Sequence, residues 1–339
     1  MRTPKHAMPW LDAARTSLLG RFSAGQLPHA LLIAGEKGVG KRAFAEQASA
    51  FLVCERPSGE SLTACGTCKQ CELLAGESHP DVRVYTPEKS RMIKVDQIRA
   101  LSGFAVASPQ VARRKLIIVD RADQLNINAA NALLKTLEEP SADVVLLLLQ
   151  ETGRPILPTL TSRCQRLLIP TPEAEIAMDW LQGKLASAGA EYSADLQRQA
   201  LELAGFAPRL AFDYLAGDFL VLRADALKAF RRYMKSEIPV SEASKPFKTL
   251  GLEATLGLME VWAADLARVG AGGSPRDSEA AEMLTFLASV NPAFRAHQLR
   301  DAVHEARSAS IYNANPELEA QRLLIQWRSL MPARKRRAG

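Results

Sequence analysis

Residues 35–42 read GEKGVGKR and combine three glycines with a lysine at a spacing suited to binding phosphate. Phosphate-binding loops of nucleotide hydrolases have the form G-x-x-x-x-G-K-[ST], in which the glycine backbone wraps around phosphates and the lysine neutralises their charge. Gly35, Gly40 and Lys41 match this form, and Gly38 adds flexibility between them. The alternative interpretation is a tight turn between a strand and a helix with an exposed lysine.

Two positions where a hydrolase handles magnesium and water carry cations instead. Arg42 stands where the loop should end in a magnesium-binding hydroxyl. Asp120 ends the apolar run LIIVD and could hold magnesium, but Arg121 follows it where active ATPases have a glutamate. A positioned general base contributes roughly 10²–10⁴ in rate. The sequence therefore predicts a degenerate nucleotide site without efficient ATP hydrolysis, in which Lys41 and the backbone could still hold ATP or ADP.

Four of the five cysteines are clustered in a short stretch that predicts a metal site: Cys54, Cys65, Cys68 and Cys71. Thiolates at this density favour structural Zn²⁺ with four sulfur ligands. An iron–sulfur cluster and free thiols are the alternatives, and the ferredoxin run would need a further C-x3-C-P. His79 is nearby but is not needed as a ligand. Cys164 has no cysteine close in sequence and is predicted to be a buried free thiol.

These residues lie among short apolar runs that alternate with segments of helical periodicity. Unbroken apolar strands predict a parallel sheet covered by helices on both sides. The predicted strands are 30–34, 82–86, 116–120, 144–150 and 166–169, and the predicted helices are 9–23, 41–53, 95–107 and 127–138. From residue 173 onward only helical periods occur, with about five amphipathic helices in 218–332. The fold class is therefore α/β followed by an all-helical region.

The composition of the 339-residue chain is that of a globular protein, with 47% hydrophobic and 24% charged residues. The apolar run 144–149 is far too short to span a bilayer, and the N-terminal residues do not resemble a secretory signal, so a cytoplasmic location is expected. The net charge of +6 permits contact with nucleic acid. Part of that charge lies in a basic tail that could be merely solvated or could contact phosphates: Arg334, Lys335, Arg336 and Arg337.

Several segments together resemble the AAA+ clamp loader subunits of bacterial DNA polymerase III. They are LPHALLIAGEKGVGKR at 27–42, the cysteines at 54–71, KVDQIR at 94–99, LIIVDRADQLNINAANALLKTLEEP at 116–140 and LPTLTSRCQRL at 157–167. The resemblance implies an AAA+ module at 1–170 with a zinc module at 54–71. It further implies a small helical lid domain at 171–217 and an all-helical oligomerisation collar at 218–339.

The same resemblance assigns roles to two arginines. Arg163, in TSRC, matches an arginine finger that reaches into the ATP site of a neighbouring subunit. By analogy with GTPase activation, an arginine supplied in trans is worth about 10³–10⁵ in rate. Arg209 matches a sensor arginine of the lid, and residues 150–152 lie at the sensor position on the fourth strand.

Within this family, Arg42 and Arg121 depart from the motif residues of the subunit that hydrolyses ATP. These departures favour a subunit that does not hydrolyse its own ATP. Such a subunit would be a scaffold in a hetero-oligomeric ring with gamma/tau and delta subunits. The ring is part of the DNA-directed DNA polymerase holoenzyme and loads the sliding clamp onto primed DNA. Two alternatives stay open: a gamma/tau-like motor that tolerates Arg42, and a zinc-dependent nucleic-acid-binding protein with a vestigial nucleotide loop.

Overall fold

The computed structural model describes residues 8–88, 92–309 and 315–332. The basic tail at 334–337 lies outside these residues, so its predicted alternatives are not resolved by the structure. The chain divides into two compact units, one formed by Met1–Lys184 with Ala207–Arg209 and the other by Leu185–Phe206 with Leu210–Gly339. Within the described residues, no helix has the length and apolar character needed to cross a membrane.

The first unit is built on a parallel five-stranded sheet of order β2-β3-β4-β1-β5. The strands are β1 (Ala30–Gly35), β2 (Val82–Tyr85), β3 (Lys115–Val119), β4 (Val144–Glu151) and β5 (Gln165–Leu168). All residues of β1 and β3 are buried, as predicted for strands covered on both faces. β2 and β5 are only partly buried, because each pairs with a single neighbour at an edge of the sheet.

Helices follow the strands and enclose the sheet. Those of the sheet region are α1 (Asp12–Ser23), α2 (Lys41–Val53), α3 (Lys69–Ala75), α4 (Val95–Val106), α5 (Ile127–Glu138) and α6 (Pro158–Thr161). One face of the sheet packs against α4 and α5 in a single apolar cluster that includes Ile117, Leu146 and Leu133. Asn126 is the N-cap of α5, and its side chain accepts the amide hydrogen of Ala129 at 2.7 Å.

The rest of the chain is helical. Its helices are α7 (Ala174–Ala188), α8 (Ala194–Leu203), α9 (Pro208–Ala216), α10 (Phe219–Met234), α11 (Val240–Leu250), α12 (Leu252–Gly270), α13 (Ala281–Val290), α14 (Phe294–Ala309) and α15 (Pro316–Leu330). The described part of the chain has six helices after residue 218, where about five were predicted. Gly251, at φ 87°, separates α11 from α12. The predicted fold class is confirmed, and the three-domain division stays a prediction.

A buried aspartate holds the loop that leads into β3. Asp81, directly before β2, is fully buried. Its carboxylate accepts the backbone N–H groups of Gln110, Val111 and Ala112 at 2.7, 2.8 and 2.8 Å. Burial by itself would raise the pKa of Asp81, but these three bonds outweigh it and hold the pKa below its usual value. The charged carboxylate thus fixes the backbone of residues 110–112.

This contact predicts a specific dependence of stability on pH. Because the folded pKa of Asp81 is lowered from an unfolded value of about 3.9, its stabilising effect is complete above that pH. The effect is lost as the pH falls through the folded pKa. We expect Asp81→Asn to lower the free energy of unfolding by about 1–3 kcal/mol at neutral pH. The difference in the free energy of unfolding between Asp81→Asn and the unmodified chain should become smaller in acid. Urea denaturation between neutral pH and about pH 2 measures it.

The matched control is Asp96→Asn, which changes an exposed carboxylate whose recorded ion pair is with Arg99 in the same helix. This variant should differ little from the unmodified chain at any pH. A destabilisation by Asp81→Asn that stays constant down to acid pH would contradict the assigned role of the charge.

Candidate functional site

The glycine loop connects the end of β1 to the start of α2, as the sequence predicts. Gly38 and Gly40 have φ values of 82° and 103°, in the left-handed region that glycine adopts readily. A Cβ atom at Gly35 would lie 2.7 Å from the carbonyl oxygen of Ile169, so this position also requires glycine. The Lys41 ammonium donates to the carbonyl oxygens of Gly35 at 2.8 Å and Glu36 at 2.7 Å. The loop therefore has the cradle shape and keeps its lysine close to the backbone.

A cavity of about 220 Å³ opens beside this loop at the carboxyl ends of β1, β3 and β4. It is lined by Lys37, Gly38, Gly40, Lys41, Arg42, Asp120, Arg121, Asp123, Leu149, Glu151 and Arg209. The structure therefore brings the predicted residues Gly38, Gly40, Lys41, Asp120 and Arg209 together around one space. Gly35 contributes indirectly, since its carbonyl binds the Lys41 ammonium.

The two residues that depart from a hydrolase motif, Arg42 and Arg121, both line this cavity, and Arg42 pairs with Asp120. Arg42 Nη1 lies 3.1 Å from Asp120 Oδ2, and Arg42 Nε lies 2.7 Å from Glu46 Oε1. Arg121 follows Asp120 in a left-handed conformation, with φ 66° and ψ 54°. The Arg42 guanidinium is thus paired with the carboxylate that would bind magnesium. Magnesium prefers oxygen ligands, and this carboxylate is already engaged. These residues do not fit a magnesium ion.

Asp123 and Arg154, which lie at or beside the cavity, were not identified from the sequence. Asp123 accepts the Glu151 amide hydrogen at 3.1 Å. Arg154 Nε lies 3.1 Å from Glu151 Oε1 and 3.7 Å from Asp123 Oδ2. Burial raises the pKa of Asp123 and lowers that of Lys41. The signal available in the sequence was the placement of acidic residues just after two strands, because parallel strands end at one edge of the sheet.

Of the predicted sensor residues, Glu151 reaches the cavity, and Gln150 donates to the Arg154 carbonyl at 2.9 Å.

The four clustered cysteines converge as predicted, with all their sulfur atoms within 4.8 Å of one another. The separations are 3.9 Å for Cys54 and Cys68, 4.0 Å for Cys65 and Cys71, 3.5 Å for Cys68 and Cys71, and 3.8 Å for Cys54 and Cys71. Sulfur ligands at about 2.3 Å from a tetrahedral zinc ion lie about 3.8 Å apart. The cysteines are free thiols, not disulfides. Their arrangement therefore fits a four-coordinate metal ion.

The thiols of this cluster differ in acidity. A hydrogen bond from the backbone N–H of Thr67 lowers the pKa of the Cys65 thiol to about 6. Burial raises the pKa of the Cys71 thiol to about 12. Cys54 Sγ accepts the amide hydrogen of Cys65 at 3.3 Å, so the protein backbone supports the sulfur positions.

The cysteine cluster is connected to the sheet through hydrogen bonds that the sequence did not reveal. Gln70, between two of the cysteines, donates to the Val111 carbonyl at 2.9 Å. Its side-chain oxygen lies 2.8 Å from His79 Nε2. His79 Nδ1 accepts the Asp81 amide hydrogen at 3.1 Å, so Nε2 carries the proton and donates to Gln70. His79 is therefore a buried connecting residue and not a ligand.

Arg163 lies between α6 and β5 at the surface, and it does not line the cavity. Its Nη2 atom lies 2.6 Å from Glu138 Oε1, and its Nη1 atom donates to the Thr159 carbonyl at 2.9 Å. About a third of its side chain is exposed (35%). Glu138, the last residue of α5, was not identified as a partner from the sequence. Cys164 is only partly buried, and burial raises its pKa to about 11.

Comparison with known proteins found a family model and several relatives that match this chain. A family model described as DNA polymerase III, delta subunit, matches residues 12–173. DNA polymerase III subunit delta' of Pseudomonas aeruginosa is 34% identical over 95% of this chain and 97% of its own length. The Escherichia coli subunit delta' is 33% identical over 62% of this chain and 61% of its own length.

A solved gamma subunit-related protein of DNA polymerase III from Thermotoga maritima matches with 18% identity and a TM-score of 0.44, covering 94% of this chain and 100% of that chain. The full-length relationship to the Pseudomonas protein confirms the resemblance predicted from the sequence segments. The chain belongs to the DNA polymerase III subunit delta' family.

Proposed function

We propose that this chain is the delta-prime subunit of a DNA polymerase III clamp loader and acts there as a scaffold without ATP hydrolysis of its own. The ion pair between Arg42 and Asp120 is the observation that carries this proposal. In this pair a guanidinium contacts the carboxylate that would bind magnesium in a motor subunit. Arg121 replaces the residue that would position water. The relatives named subunit delta' support the same assignment.

Arg163 is the residue through which such a scaffold would act on ATP. It lies at the surface outside its own cavity, so the loss of hydrolytic groups around Asp120 leaves it intact. Glu138 holds the guanidinium in a defined position by a direct ion pair, and Thr159 supports it from the backbone. A neighbouring gamma/tau subunit would receive this arginine at its γ-phosphate, with the delta subunit completing the ring. The sliding clamp and primed DNA would be the substrates of that complex.

The cysteine cluster would hold a structural zinc ion. Four cysteine sulfurs at tetrahedral separations leave no coordination position for a substrate, which is the pattern of a structural site. When bound, the ion would tie α3 to the segment after α2. Through Gln70 and Val111 the same module supports the loop before β3.

The first prediction concerns the isolated chain. We expect it to turn over ATP no faster than buffer blanks, with magnesium and with or without primed DNA. Asp120 pairs with Arg42, and Arg121 stands where a motor subunit carries the glutamate that positions water. Turnover comparable to that of ordinary motor subunits would instead support the gamma/tau-like alternative. A phosphate-release assay on the purified full chain is sufficient.

A second prediction concerns Arg163→Ala in a complex reconstituted with gamma/tau and delta subunits. The variant should fold and assemble normally, because the side chain is partly exposed and contacts only its local surroundings. ATP hydrolysis at the single neighbouring site should fall by about 10³-fold or more. Arg166→Ala is the matched control, since it removes an exposed arginine three residues away. Equal ATPase activity of the two variant complexes would rule out the finger.

A third prediction concerns the metal. Elemental analysis of the purified chain should find a single zinc ion, because the sulfur geometry fits a tetrahedral site. Cys68→Ser should lose most of the metal, whereas Cys164→Ser, which changes the cysteine outside the cluster, should retain it. Iron in place of zinc, or the absence of metal from the unmodified chain, would refute the assignment.

A further inference from the structure

The cavity beside the glycine loop carries more positive than negative charge. Five cationic side chains line it, from Lys37, Lys41, Arg42, Arg121 and Arg209. Among the described residues that line it, three are carboxylates, from Asp120, Asp123 and Glu151. A small space with this balance favours an anion over a cation.

Each of the three carboxylates already faces a guanidinium. Asp120 pairs with Arg42 at 3.1 Å. Asp123 and Glu151 both face Arg154, at 3.7 and 3.1 Å. A divalent cation would have to displace one of these guanidinium groups to obtain oxygen ligands, and it would then lie beside the displaced positive charge. The whole cavity, and not Asp120 alone, is therefore unsuited to binding magnesium.

The donors that suit a phosphate group remain in place. The loop with Gly38 and Gly40 leads into α2, whose first backbone N–H groups have no partner within the helix. The Lys41 ammonium binds two carbonyls of the same loop, and phosphate oxygens are stronger acceptors for a cation than neutral carbonyls. Arg42 offers a planar guanidinium, a group that matches phosphate oxygens. Burial lowers the pKa of Lys41, and a bound anion would favour its charged form.

We propose that this cavity binds a diphosphate group, that of a nucleotide or of free pyrophosphate, without magnesium, and that Arg42 supplies the positive charge that a metal ion supplies in hydrolysing enzymes. Without a metal and a positioned water the ligand is retained and not cleaved. The proposal goes beyond the role of the chain in a complex and concerns its own cavity. It can therefore fail while the assignment of Arg163 stands, and the reverse also holds.

The experiment measures the affinity of the full chain, free of partners, for ADP and for pyrophosphate by titration calorimetry. Each titration is run once with excess magnesium and once with EDTA, and zinc is monitored so that the cysteine cluster stays loaded. We expect ADP to bind with nearly equal affinity in both conditions. Lys41→Ala should weaken binding about tenfold to a hundredfold, as expected for the loss of a charge-assisted bond.

Arg42→Thr is the decisive variant, because it restores the hydroxyl of a hydrolase loop and frees Asp120. In EDTA its affinity for ADP should fall about tenfold or more, and magnesium should restore most of the loss. Arg99→Thr is the control, since it removes an exposed arginine in α4 that pairs with Asp96. It should match the unmodified chain in both conditions, and circular dichroism checks that each variant is folded.

Three results would overturn the proposal: no binding of either probe, binding by the unmodified chain that requires magnesium, or equal affinities of the unmodified chain and Arg42→Thr in EDTA. Comparison of the two probes identifies the source of the diphosphate. Tighter binding of ADP than of pyrophosphate would assign the site to a nucleotide, and equal or weaker binding would assign it to the free anion.

Discussion

The ion pair between Arg42 and Asp120 is the interaction on which the character of the cavity beside the glycine loop depends. It joins the first turn of α2 to the end of β3, across the space where a metal ion would bridge protein and phosphate. Glu46, one turn further along α2, holds the other side of the same guanidinium at 2.7 Å. Because the positive charge is covalently attached, it is present at any magnesium concentration. The loop keeps the shape of a phosphate cradle while the electrostatics around it have changed.

The arginine that we propose acts on a neighbouring subunit lies apart from this ion pair. Arg163 lies on the connection to β5 and is held by Glu138, whereas the cavity is formed at the ends of β1, β3 and β4. A subunit whose arginine acted on a neighbour's ATP would not need to hydrolyse ATP in its own cavity. A cation at position 42 would be compatible with that role. The degenerate site and the surface arginine are thus independent parts of one module.

The cysteine cluster is integrated with the same sheet. Gln70 connects it to Val111, and His79 connects Gln70 to the backbone of Asp81. Asp81 in turn fixes the amides of residues 110–112, so two separate contacts hold the loop that precedes β3. The cysteine cluster between α2 and β2 is therefore connected by hydrogen bonds to the loop before β3, the strand that Asp120 follows. This connection gives the module a structural purpose beyond its own local stability.

Much of this protein was determined by the sequence alone, because the informative signals are local in the chain. The strand that ends at Gly35, the cap at Asn126 and the four cysteines each depend on residues close together in the chain, at most 17 positions apart for the cysteines. Periodicity or spacing is enough to predict such features. The cationic substitutions at Arg42 and Arg121 were equally visible, since a motif defines what each position should contain. What only the tertiary structure decided is which distant side chains meet. Arg42 and Asp120 are separated by 78 positions, and Gln70 and Val111 by 41. Such pairs depend on strand order and helix packing, which place residues from different segments at one edge of a sheet, and no local pattern in the chain encodes those distances.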